Sequence, residues 1–159
     1  IDNGLLPKGL GTSPFDSEGV PSQKTTLIEN GILKNYILDT YSARKLNLKS
    51  TGNAGGSSNL YIETGNYSPE EIIASVNNGL FFVRSLGQGT NSTTGDYSKG
   101  CYGIWIENGK LAYPVSEITV SGNLSDMLNN IEMLGNDLVF DSSITSPTLK
   151  IKELTISGV

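Results

Sequence analysis

Two Asn-Gly dipeptides, Asn30-Gly31 and Asn108-Gly109, each divide a run of β-forming residues into halves. A two-residue type I′ turn needs positive φ at both central positions, and Asn-Gly supplies it at little steric cost. The sequence therefore predicts two antiparallel hairpins, Lys24–Glu29 with Ile32–Asp39 and Tyr102–Glu107 with Lys110–Val115. Aligning Ile28–Leu46 with Ile106–Leu124 repeats Ile-Glu-Asn-Gly and places Leu33 on Leu111 and Leu46 on Leu124. Duplication of one unit and shared turn chemistry both account for that pattern.

Further strands are expected at Leu60–Glu63, Leu80–Leu86, Ile118–Ser121, Asp137–Phe140 and Leu149–Ser157. In the last of these, Leu149 and Ile151 lie out of phase with Leu154 and Ile156, which predicts a bulge near Lys152-Glu153. Two helices are expected. Ser68-Pro69-Glu70-Glu71 has the composition of a capping box with proline in the first turn. Asn123 opens the second, where Leu124, Met127, Leu128, Ile131 and Leu134 form one apolar face ending at Gly135. The first 23 residues carry so many Gly and Pro that they read as an irregular lead-in, continuing from a missing N-terminal domain. Residues 24–159 then form a single β-rich domain: α+β, mostly β, a curved antiparallel sheet or open β-barrel with two short helices packed on it.

Composition narrows the chemistry. The 159 residues include no histidine and one cysteine. Ser-His-Asp and Cys-His catalysis, two-histidine metal helices and internal disulfides are excluded within this sequence. A net charge of −5 with scattered Lys and Arg argues against a direct nucleic-acid partner. No apolar run approaches the ~18 residues of a membrane-crossing helix, so a cytoplasmic, non-membrane protein is expected.

Among the carboxylates, Asp16, Glu18, Asp39, Glu63, Asp96, Glu107, Glu117, Asp137 and Asp141, no spacing singles out a catalytic pair. The glycine-rich stretches Thr51–Ser58 and Gly87–Thr90 match neither phosphate-loop pattern and read as binding or flexible loops. Cys101 falls in a predicted strand with Gly103 and Trp105 on its face and Tyr102, Ile104 and Ile106 opposite. It reads as a small buried hydrophobe. Trp105 reads as core or as a partner-facing anchor.

Several motifs taken together resemble the TldD/PmbA family. They are Pro14–Pro21 (PFDSEGVP), Leu27–Gly31, Asp39–Leu46, Ser50–Ala54 (STGNA), Thr94–Ser98, Trp105–Gly109, Pro114–Val120, Gly122–Leu124 and Gly135–Leu138. The resemblance runs end to end but covers only the family's C-terminal domain. It implies one part of a cytosolic, dimeric metallopeptidase of the kind known historically as modulators of DNA gyrase. Such proteins trim leader peptides and degrade unfolded ones. In the TldD-type subunit a His-Glu-x-x-x-His helix lies upstream, and a late cysteine completes the zinc site. Here the matching interval, Val139–Ser146, has no cysteine, and Cys101 sits in another motif.

The resemblance thus points to the PmbA (TldE) branch, itself non-catalytic. It implies no metal or cofactor in this domain, with zinc expected in a TldD-like partner subunit or a missing domain. A heterodimer with that subunit, or a homodimer of the full chain, is the implied assembly, and a peptide is the implied substrate. Ser50, Thr51, Gly52, Asn53, Ala54 and Trp105 are the candidate peptide-groove or interface residues. Two alternatives remain at this point. One is a roof domain over a zinc site carried upstream in the same chain, and the other is a stand-alone β-rich binding module.

Overall fold

The computed structural model describes residues 1–158. In chain order the elements begin with β1 (Asp2–Asn3), β2 (Lys24–Thr25), β3 (Ile28–Glu29), β4 (Ile32–Leu33), α1 (Thr40–Lys45) and β5 (Leu60–Tyr61). Next come α2 (Pro69–Ala74), β6 (Asn78–Leu86), β7 (Asp96–Glu107), β8 (Lys110–Asn123) and α3 (Leu124–Asn129). The chain ends with β9 (Ile131–Leu134), β10 (Ile144–Thr145), β11 (Leu149–Ile151) and β12 (Thr155–Ser157). Mostly β with short helices, the fold is the α+β class expected. Its sheets are open, and no barrel closes among the described residues.

Two compact units emerge. The first comprises Ile1–Thr64 with Leu138–Pro147. Its sheet has the order β10-β5-β1-β2, with β10 parallel to β5 and the other pairs antiparallel. Two residues of the lead-in therefore do form a strand, Asp2 pairing with Thr25 on one side and Leu60 on the other. The interior of this unit is unusually polar. Alongside Leu38, Ala43 and Ala54, it buries Asp2, Ser22, Thr25, Asn53 and Asn59. Buried polar groups are tolerated when hydrogen-bonded, and Asn59 shows how. Its Oδ1 accepts from Gly11 N at 2.8 Å, while its Nδ2 donates to Asn3 O at 2.8 Å and Thr12 Oγ1 at 3.0 Å.

The second unit comprises Gly65–Asp137 and the chain from Thr148. Its main sheet, β12-β8-β7-β6, is antiparallel throughout. Cys101, Ile118 and Val120 form the buried cluster, with Leu80, Tyr97, Val115, Leu154 and Ile156 packed against it. A smaller sheet pairs β9 with β11.

Both predicted hairpins form. Asn30 and Gly31 have φ of 51° and 76°, and Asn108 and Gly109 have φ of 50° and 74°. The first hairpin is shorter than expected, pairing only Ile28–Glu29 with Ile32–Leu33. Beyond the turns the two aligned segments diverge, since residues 40–45 are helix α1 while 118–123 continue strand β8. That divergence favours shared turn chemistry over a duplicated unit.

Several expectations are corrected. Asp39 does not end a strand; it caps α1, its carboxylate accepting from Ser42 N at 2.7 Å. There are accordingly three helices among the described residues. The helix expected from Leu124 to Leu134 stops at Asn129, and Ile131–Leu134 becomes β9. Two poor helix formers, Asn129 and Asn130, end the helix, and pairing with β11 overrides the remaining apolar period. The segment Asp137–Phe140 forms no strand; Asp137 instead accepts from Thr148 N at 2.9 Å and Thr148 Oγ1 at 2.7 Å. The last run breaks into β11 and β12 in different sheets, at the Lys152-Glu153 position where the phase change fell.

Ile106 is buried as well, outside the Cys101–Val120 cluster, and the register shift beside it leaves Ala112 of β8 unpaired. The α2 capping box forms as read, Ser68 and Glu71 each satisfying the other's backbone N–H.

Candidate peptide-holding loop

The loop from Ser50 to Ser58 belongs to the first unit, and side-chain hydrogen bonds fasten it on both sides. At its start, Thr51 Oγ1 accepts from Leu38 N at 2.8 Å, and Ser50 Oγ donates to Leu38 O at 3.1 Å. Ser50 and Thr51 thereby hold the stretch that leads to the Asp39 cap. Gly52 then passes against the lead-in. Its φ is +68°, and a Cβ there would lie 2.5 Å from Pro21 O, so both conformation and space demand glycine.

Asn53 and Ala54 complete the attachment. Asn53 Nδ2 donates to the buried Asp2 carboxylate at 2.7 Å, and the other Asp2 oxygen accepts from Ser58 N at 2.8 Å. Ala54 N donates to Asp16 Oδ2 at 2.9 Å, while Ser17 Oγ donates to Ala54 O at 2.7 Å. Asp16 also accepts from Glu18 N and Val20 N, both at 2.9 Å. The Ala54 N–H, backed by those of Val20 and Glu18, holds the Asp16 carboxyl below its ordinary range. Asp39 lies low for a related reason, the Ser42 backbone N–H. Glu18 Oε2 accepts from Thr40 N at 2.9 Å. The PFDSEGVP and STGNA motifs are thus one structure, the first clasping the second.

Between them opens a cavity of about 240 Å³, lined by Phe15, Asp16 and Ser17 on one side and by Gly52–Ser58 on the other. Gly52, Asn53 and Ala54 border it. Trp105 lies in the second unit, half-buried, its Nε1 donating to Asn78 Oδ1 at 2.8 Å. Asp2 and Asn59 escaped the sequence reading because nothing in spacing ties the lead-in to residues 47 to 56 positions later. The other glycine-rich stretch, Gly87–Thr90, is structural: Thr90 bridges to Tyr97, and a Cβ on Gly89 would collide with Ser98 O at 1.9 Å.

The groups around the loop are amides, hydroxyls and hydrogen-bonded carboxylates. They form no nucleophile–base pair. Cys101 is fully buried in the second unit, and burial pushes its thiol pKa up, away from nucleophilic use. Among the described residues no three of His, Cys, Asp and Glu gather as a ligand set. No helix is long and apolar enough to cross a membrane.

Fold and loop together define a small α+β module, mostly β, that carries a clasped polar loop. The chain belongs to the PmbA/TldD metallopeptidase family: residues 1–158 match the model for the PmbA/TldA metallopeptidase C-terminal domain. It is 47% identical over 153 residues to metalloprotease PmbA of Escherichia coli O157:H7, covering 96% of this chain and 34% of that protein. A TldD homolog of Buchnera aphidicola is 33% identical over 183 residues, covering 99% of this chain and 38% of that one. The crystal structure of TldE from Thermococcus kodakarensis has a TM-score of 0.84 at 27% identity, covering 99% of this chain and 39% of its own. The chain therefore spans about a third of the length of these relatives.

Proposed function

We propose that the chain serves as the C-terminal domain of a PmbA-like subunit in a TldD/PmbA-type metallopeptidase, non-catalytic in itself. It docks a TldD-like, zinc-bearing subunit and supplies part of the cavity that holds a peptide. The observation that carries this reading is the clasped Gly52–Ser58 loop. It presents open backbone and small polar side chains around a cavity, with no catalytic group among them. Main-chain recognition of this kind suits substrates of varied sequence. In this reading zinc is held by the partner or by a preceding domain, and the lack of histidine in this sequence supports it. Where zinc is bound, it supplies Lewis-acid activation of water; these residues bind and orient.

Replacing Gly55-Gly56-Ser57 with bulkier residues in the full-length subunit, reconstituted with a TldD-type subunit, tests the holding role. KM for an unfolded peptide should rise several-fold while subunit association stays unchanged. Unaltered cleavage kinetics would overturn the reading.

A further inference from the structure

Four Asn-Gly pairs occur in the sequence: Asn3-Gly4, Asn30-Gly31, Asn78-Gly79 and Asn108-Gly109. Such a pair is open to spontaneous cyclisation, because glycine sets no Cβ between its backbone nitrogen and the asparagine amide carbon. Attack needs two freedoms. The glycine N–H must be unpaired, and the asparagine side chain must be able to turn back onto it.

Three of the pairs are restrained. Gly4 N donates to Gln23 O at 3.1 Å, while Asn3 Oδ1 accepts from Leu5 N at 3.0 Å. Asn78 Oδ1 accepts from Trp105 Nε1 at 2.8 Å, and Gly79 lies in the β6–β7 ladder opposite Ile106. At the second hairpin turn, Gly109 N donates to Val76 O at 2.9 Å and Asn108 N to Asn77 O at 2.7 Å. A Cβ on Gly109 would lie 2.8 Å from Ala74 O, so neighbouring backbone closes over that turn.

The first hairpin turn has none of these restraints. Asn30 and Gly31 are both exposed, and a Cβ on Gly31 would meet nothing within 4 Å. Neither Gly31 N nor the Asn30 side chain has a hydrogen-bond partner among the described residues. Strands β3 and β4 contribute two paired rungs, all four residues exposed, with no third strand beside them. A two-stranded hairpin of that length is marginal by itself and opens locally at small cost. The Asn108-Gly109 turn instead closes strands of 12 and 14 residues within a four-stranded sheet.

We propose that Asn30 is a site of spontaneous deamidation in the folded protein, set apart from the other three Asn-Gly pairs by its free turn. Gly31 N gives up its proton to water and bonds to Asn30 Cγ. The Cγ–Nδ2 bond then breaks, and ammonia leaves with a proton returned from solvent. Water opens the resulting five-membered imide at either carbonyl, giving aspartate or isoaspartate. One water is consumed and one ammonia released, with no change of oxidation state. Either product adds a carboxylate beside Glu29, which pairs with Lys34 at 3.5 Å. Isoaspartate also adds a methylene to the main chain, which a two-residue type I′ turn does not accommodate.

Prolonged incubation of the full-length protein, with peptide mapping by mass spectrometry and isoaspartate-specific methylation, tests it. Asn30 should convert roughly tenfold faster than Asn3, Asn78 or Asn108 while the protein is folded. In denaturant that excess should vanish, because all four pairs are then equally free. Asn30→Gly keeps the positive φ of the turn and should remove the fast-forming isoaspartate. Asn108 matching Asn30 in the folded protein, or no conversion at Asn30, would overturn the proposal. So would an excess at Asn30 that persists in denaturant, or isoaspartate formation unchanged in Asn30→Gly.

Discussion

Glu117 offers a sharp test of how the large sheet is built. It sits within β8 at a φ of +58°, a conformation that favours glycine. Opposite it, the ladder steps from Cys101↔Ile118 to Gly103↔Val115, so Ser116 and Glu117 together face Tyr102. The extra residue makes a bulge whose second position is left-handed. The Glu117 side chain is exposed and forms no ion pair among the described residues, so its backbone conformation dominates the effect of substitution.

Left-handed geometry costs a non-glycine residue about 1–2 kcal/mol. Glycine returns about 0.5–1 kcal/mol of that through its freer unfolded chain. Glu117→Gly should therefore stabilise the protein by roughly 0.5–1 kcal/mol, which for a chain of this size raises Tm by about 2–3 °C. Glu117→Ala keeps the strain and should stay within about 0.5 kcal/mol of the parent. Calorimetric melting of the three proteins measures both. A Glu117→Gly Tm equal to or below that of Glu117→Ala would refute the bulge argument.

Other outcomes follow from the core and the clasp. Ile118, 1% exposed in the Cys101–Val120 cluster, should cost about 2–5 kcal/mol when cut to alanine, read by urea unfolding. Cys101 should resist a thiol reagent in the folded protein and react fully in denaturant, a contrast measured by thiol titration. Asp16 and Asp39 both lie below their unfolded values, so the unfolded chain binds protons first as pH falls. Their contribution is complete above about pH 4 and is lost as pH drops through the lowered folded values, which acid titration of Tm should show. Asp16→Asn should flatten part of that slope.

Turns and caps were the most legible features of the sequence because they are local. Asn30-Gly31, Asn108-Gly109 and Ser68–Glu71 each determine their conformation within four residues. The α1 helix was legible in principle, with Asp39 as cap and Arg44-Lys45 in the last turn, but the β-rich run before it concealed the boundary. At Ile131–Leu134 the apolar spacing suits either helix or strand, and only the distant β11 decides between them. The loop candidates Ser50–Ala54 were found through motif resemblance; their fastening to Asp2 and Asp16 depends on contacts across 51 and 38 positions. Trp105, named beside them, proved to belong to a separate unit.

In the function proposed above, these residues assist a peptidase whose zinc is held elsewhere. Co-expressing the full-length subunit with a TldD-type subunit, and measuring zinc content and peptide cleavage for each alone and for the pair, tests it most directly. No stoichiometric zinc is expected on this subunit alone, and full cleavage only by the pair. Stoichiometric zinc and cleavage by this subunit alone would contradict it.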